Sequence, residues 1–166
     1  MNTIADTSDA GLQGLAEQLG ARLKDQHLTL CTAESCTGGW IAKTVTDAAG
    51  SSAWFDCGMA AYSYEAKQAL LGVRPETLMQ FGAVSRETVL EMVSGALITS
   101  SAGLAVAVTG IAGPGGGSNE KSSQDSTATT AATAAPLQPQ PQSLAVEPTA
   151  TPGATVRLNL AASGIL

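Results

Sequence analysis

Charges and aromatic rings almost cease at Lys121. Beyond it the only charged residues are Asp125, Glu147 and Arg157, no aromatic residue occurs, and five of the seven prolines fall in a segment made mostly of Ser, Thr, Ala, Pro and Gln. Such a segment has too little apolar surface to offset the entropy of ordering it. Residues 122–155 are therefore expected to lack fixed structure, and Val156–Leu166 forms a short apolar end able to dock. The core of this 166-residue chain must come from residues 1–121, which hold all six aromatic residues and all three cysteines. Two regions are thus expected: a folded domain over 1–121 and a low-complexity tail over 122–166.

Within the first region, segments of helical period alternate with short apolar runs. Leu12, Leu15, Leu19 and Leu23 recur at helical spacing, which predicts an amphipathic helix over about 10–25 with Asp9 as its cap. Leu28–Thr32 reads as a buried strand, residues 40–45 as a helix ending near Gly50, and Phe55–Tyr62 as a second strand. Glu65–Leu71 is a short helix closed by Gly72, and Pro75 suits the first turn of a helix over Glu76–Gln80 stopped by Gly82. Ser85 caps a longer helix to Thr99, with Val89, Met92, Val93, Ala96 and Leu97 on one face. Leu104–Thr109 is the most apolar strand, and a glycine-rich turn follows it. Short buried strands between helices predict an α/β chain, a compact α/β/α layered domain with a mainly parallel sheet.

Several function classes fall away on composition. A net charge of −6 argues against binding nucleic acid, which needs Lys and Arg to displace counterions from phosphates. One His and three Cys cannot supply a His- and Cys-rich metal site, and Cys31, Cys36 and Cys57 contain no C-x-x-C pair. No apolar run reaches the roughly 18 residues of a membrane helix, and the first residues lack the basic-then-apolar pattern of a secretory signal. A cytoplasmic protein without metal or cofactor is expected.

Three segments can carry chemistry. The first is Thr32–Gly39, TAESCTGG, between a strand and a helix, where ligands of open α/β folds gather and helix amides stand unpaired. Ser35 lies there among small neighbours. A capping cluster with turn-forming glycines is the other reading. The second is Tyr62–Lys67, YSYEAK, in which Tyr62 ends a strand and Lys67 lies in the first turns of a helix. A lysine acts as a base only where burial or a neighbouring cation lowers its pKa; otherwise it is a surface residue. The third is Val108–Ser118, VTGIAGPGGGS, whose glycines let backbone amides converge on an anion such as phosphate. It matches neither the P-loop nor the dinucleotide fingerprint, which disfavours a dinucleotide oxidoreductase. The lone His27 sits between a helix and a strand, so no His-based triad is available; a Ser–Lys pair is the remaining route to hydrolysis.

The segments TAESCTGGWIAKTVTDAAGSSAWFDCGMAAYSYEAKQALLGV, GAVSRETVLEMVSGAL and AVAVTGIAGPGGGS resemble the CinA C-terminal-domain family, from about residue 10 to Lys121. The resemblance implies a nicotinamide-nucleotide amidase, usually oligomeric, that hydrolyses the carboxamide of nicotinamide mononucleotide to nicotinate mononucleotide and ammonia without a metal, in pyridine-nucleotide recycling. On that resemblance Ser35 is the nucleophile, Lys67 the general base, and Tyr62 the residue keeping the pair in register. Thr37, Gly38, Gly39, Thr109, Gly110, Ala112 and Gly113 bind the nucleotide, and backbone amides around Cys36–Gly39 stabilise the oxyanion. Position 64, usually Asn in the family, is Tyr here and is expected at the rim. After SerAsnGluLys at 118–121 the chain lacks the family's PVGTV strand and closing helix. The domain is therefore expected to be incomplete at its C-terminus, with an uncovered strand edge. A nucleotide-binding module that has lost catalysis is the alternative reading.

Overall fold

The computed structural model describes residues 6–111, together with 129–134 and 142–145 as strands. Helix α1 spans Asp9–Asp25 and is followed by strand β1, Leu30–Glu34. Helix α2 covers Trp40–Thr46, a single 3₁₀ turn Ser51–Ala53, and strand β2 Phe55–Ala60. Three helices follow, α3 (Tyr64–Leu71), α4 (Pro75–Phe81) and α5 (Arg86–Thr99), and then strand β3, Leu104–Thr109. Two further strands are β4, Thr129–Ala134, and β5, Gln142–Ala145.

The sheet order is β2-β1-β3-β4-β5. β1 pairs in parallel with β2 on one side and β3 on the other, while β4 and β5 are antiparallel additions. Strand period 2 divides the helices between two faces. Leu30 and Leu104 point into a cluster with Ala16, Leu23, Val45, Ala48 and Trp54, so α1 and α2 cover that face. Cys31, Ala33, Ala105 and Ala107 point the other way, onto Leu71, Leu78, Val89, Met92, Val93 and Ala96 of α3, α4 and α5 and onto Val73 of the α3–α4 link. The result is the expected α/β/α layering. The chain leaves β1 over one face to reach β2 and returns over the other to reach β3. The strand order therefore reverses beside β1, and the crevice at the carboxyl ends of β1 and β3 is where open α/β sheets receive ligands.

The helix ends follow local chemistry, with small differences from expectation. Ser8, not Asp9, caps α1, its Oγ accepting from the Gly11 amide at 3.2 Å. Ser63 and Ser85 cap α3 and α5, and Pro75 opens α4. β1 begins and ends two residues later than the apolar run suggests, because the Leu28 amide still bonds the Leu23 carbonyl at the end of α1 (2.9 Å). The larger difference lies beyond Lys121. Two strands occur in 122–155, where none is expected, and β4 lies along the β3 edge that the sequence leaves uncovered. The β-branched threonines of TTAATA suit a strand, and the β3 backbone offers a ready row of partners. Among the described residues no helix is long and apolar enough to cross a membrane, and no group of three or more His, Cys, Asp or Glu could hold a metal ion.

Candidate active site

Alternation along β1 sends Leu30, Thr32 and Glu34 toward the α2 face and Cys31, Ala33 and the following Ser35 toward the α3 face. Ser35 is buried, and its amide donates to the Val108 carbonyl of β3 (3.0 Å), pinning it at the crevice between β1 and β3. Lys67 closes the first turn of α3, which Ser63 starts by accepting from the Ala66 amide (3.0 Å).

The two side chains meet, although they lie 32 residues apart. Lys67 is 0% exposed, and its Nζ bonds Ser35 Oγ, the Ala61 carbonyl and the Tyr62 carbonyl, each at 2.9 Å. β2 stops at Ala60, earlier than expected, and these next two carbonyls turn toward the amine. Burial pushes the Lys67 pKa down, opposed only by the neighbouring Cys36 thiol when ionised. Neither ion pair among the described residues involves Lys67. An amine without a carboxylate partner, in a dry setting, is the condition under which lysine becomes a base.

Ser35 is followed by a turn that only glycine fits comfortably. Gly38 and Gly39 have φ of 62° and 100°, in the left-handed region that side chains with a Cβ avoid. Here Glu34, which the sequence reading passes over, is central. Its carboxylate is 1% exposed and accepts five hydrogen bonds. Oε1 takes the Thr32 hydroxyl (3.2 Å) and the Ala42 amide (2.8 Å); Oε2 takes the Thr37 hydroxyl (2.7 Å) and the amides of Gly39 (3.1 Å) and Ile41 (2.9 Å). The start of α2 is therefore occupied by the chain's own carboxylate, which corrects the expectation of unpaired helix amides there. The Gly38 amide is also engaged, donating to the Ser35 carbonyl (3.1 Å). Of the expected Cys36–Gly39 donors, the amides of Cys36 and Thr37 remain, and both face the half-buried Cys36 thiol. Burial pushes that thiol's pKa up, against the pull of those amides and of Lys67.

The other expected site residues are placed as follows. Tyr62 reaches Lys67 through its carbonyl, while its side chain is 72% exposed, so any holding of the pair runs through the backbone. Tyr64 is exposed. Thr37 and Thr109 both have their hydroxyls engaged: Thr37 donates to Glu34, and buried Thr109 donates to the Ala83 carbonyl (2.7 Å), tying β3 to the α4–α5 link. Gly110 follows β3 directly, half-buried, whereas Ala112 and Gly113 lie outside the described residues. His27 is exposed at the end of α1 with φ of 54°. A cleft of about 250 Å³ beside α3 and α5, lined by Leu71, Arg74, Glu91, Gly95 and Ile98 among others, contains none of these groups. The buried Ser35–Lys67 contact lies outside that cleft.

Comparison with known proteins identifies relatives in sequence and in fold. The model of the CinA C-terminal domain matches residues 12–134. The chain is 57% identical over 114 residues to the nicotinamide-nucleotide amidohydrolase PncC of Escherichia coli K12, covering 69% of each protein. It is 52% identical over 105 residues to a CinA-like protein of Leptospira borgpetersenii, covering 63% of this chain and 25% of that one. Among solved structures, the competence/damage inducible protein CihA of Agrobacterium tumefaciens superposes with a TM-score of 0.72 at 44% identity, over 87% of this chain and 83% of that one.

Proposed function

The chain belongs to the CinA C-terminal domain family, and from that membership and the Ser35–Lys67 geometry we propose that it is an amidohydrolase that cleaves the carboxamide of nicotinamide mononucleotide. The observation that carries the reading is the 2.9 Å contact between Ser35 Oγ and an amine fully buried without a carboxylate partner. A neutral amine has two N–H donors and one lone pair. The Ala61 and Tyr62 carbonyls accept the two N–H bonds, so the lone pair is left facing the Ser35 hydroxyl.

In the proposed reaction Lys67 takes the Ser35 proton as Oγ attacks the carboxamide carbon. The amides of Cys36 and Thr37 receive the developing oxyanion when it takes the place of the Cys36 thiol against them, each donor worth about 3 kcal/mol in such sites. Lys67 then returns the proton to the amide nitrogen, the C–N bond breaks, and ammonia leaves an acyl ester on Ser35. Water, deprotonated by Lys67, attacks that ester; the C–Oγ bond breaks, Ser35 regains its proton, and nicotinate mononucleotide is released. Gly110 and the glycine-rich segment after it are assigned to the nucleotide portion, and Thr37 and Thr109 to shaping its walls. The protein is read as a cytoplasmic homo-oligomer acting on a small nucleotide.

The test is ammonia and nicotinate mononucleotide production from nicotinamide mononucleotide, with Ser35→Ala as control. The proposal expects turnover by the parent and loss of at least a thousandfold in the variant. Calorimetric binding of the nucleotide without turnover would instead favour the non-catalytic binding module.

A further inference from the structure

We infer that Glu34 is a positioning residue for Ser35: its buried carboxylate holds the 35–39 turn and the start of α2 in the one arrangement that presents the serine to Lys67. The inference rests on the amidohydrolase reading for its kinetic consequence but not for its structural one. A carboxylate 1% exposed, on a strand whose neighbours Cys31 and Ala33 are buried and apolar, is a costly choice unless its oxygens are fully engaged. They are engaged by five donors drawn from three places: Thr32 of β1, Thr37 and Gly39 of the turn, and Ile41 and Ala42 of α2. Ser35 sits between the strand end and the turn that this one side chain ties together. The turn has few other anchors, because Gly38 and Gly39 have no side chain to pack and lie in the left-handed region.

Glu34 acts from the opposite side of the strand to the chemistry. All its bonds lie on the α2 face, whereas Lys67 approaches Ser35 from the α3 face. It is therefore neither acid nor base for the reaction. It also occupies the amide cluster at the start of α2, so those amides are not open to an anion of the substrate.

The division of donors between the two oxygens predicts a graded response. Gln in place of Glu keeps one acceptor oxygen. With its NH₂ on the Oε1 side it preserves the bonds from Thr37, Gly39 and Ile41 and orphans the Ala42 amide; the reverse orientation orphans two amides. Glu34→Gln is thus expected to loosen the turn partially and Glu34→Ala fully. The experiment combines amide hydrogen exchange by mass spectrometry over residues 36–42 with steady-state kinetics on nicotinamide mononucleotide. For Glu34→Gln we expect exchange at least tenfold faster in that segment alone, and kcat down about tenfold with KM within twofold. Glu34→Ala falls further. A side chain that merely stabilises the fold would lower the melting temperature and leave kcat of the folded protein unchanged, and that result overturns the inference, as does unaltered exchange over 36–42. If Glu34→Gln does not fold, Thr32→Val removes one donor from Oε1 and is expected to speed exchange and lower kcat two- to fivefold; no change in either refutes the assignment. If the parent releases no ammonia, the amidohydrolase reading fails by itself, and the exchange measurement alone decides the role of Glu34.

Discussion

Replacing Lys67 by Met separates the chemistry of the buried amine from its packing. Methionine keeps nearly the length and volume of lysine, so little cavity is left behind. The variant loses three hydrogen bonds, each worth about 1 kcal/mol net. It also sheds the cost of holding an amine out of water without a charged partner. These terms should offset within about 2 kcal/mol, which keeps the melting temperature within about 8 °C of the parent. Activity behaves differently. A positioned general base contributes about 10²–10⁴ in rate, so kcat/KM for ammonia release should fall by about a thousandfold in a protein that is still folded. The pH dependence supplies a second check. Burial holds the Lys67 pKa below its ordinary 10.5. Between the lowered value and 10.5 the folded protein binds fewer protons than the unfolded chain, so parental stability rises with pH across that window. Lys67→Met should lack this slope. The parental rate should likewise rise with pH through the lowered pKa, as the amine becomes neutral. A folded Lys67→Met variant retaining more than a tenth of parental kcat/KM would rule out Lys67 as the general base.

Three further outcomes concern the scaffold. A Cβ at Gly95 would collide with the Leu71 carbonyl where α5 crosses α3, so Gly95→Ala should cost about 1–3 kcal/mol, seen as a lower urea midpoint. Trp54 is 1% exposed in the cluster beneath α1; Trp54→Ala should cost about 3–5 kcal/mol in the same assay. Burial tends to raise the Glu91 pKa, but bonds from the Arg74 amide (2.9 Å), its guanidinium (2.8 Å to Nε) and the Thr77 hydroxyl (2.8 Å) outweigh it and hold the carboxyl below 4.5. A depressed carboxyl stabilises the fold above its unfolded pKa, and that stability is lost as pH falls through the folded value. Glu91→Gln should therefore flatten the acid side of a melting-temperature profile below about pH 4.5.

Much of the layered fold was legible because period and punctuation agree. The β3 run LAVAVT, Ser85 before α5, Pro75 at α4 and Gly72 after α3 all do locally what their chemistry favours. Ser35 and Lys67 could be named from their motifs, but their contact is a product of strand order, since β1 and β2 must lie side by side in parallel to bring Ser35 under the start of α3. Glu34 was not legible. An acidic residue in an apolar run looks like a strand end facing water, and only the fold shows that Gly39, Ile41 and Ala42 turn their amides onto it. The same holds for Tyr62, whose ring suggests side-chain chemistry while its carbonyl makes the contact. β4 and β5 were missed because Thr- and Ala-rich runs carry almost no hydrophobic period; what the fold adds is the open edge of β3, along which β4 pairs, with β5 beside it.

The most direct measurement is to quench the parent during turnover of nicotinamide mononucleotide, digest it and locate the covalent acyl group by mass spectrometry. An ester on Ser35 is expected in the parent and none in Lys67→Met. An acyl group on the adjacent Cys36 thiol, or turnover with Ser35 replaced by Ala at the parental rate, would contradict it.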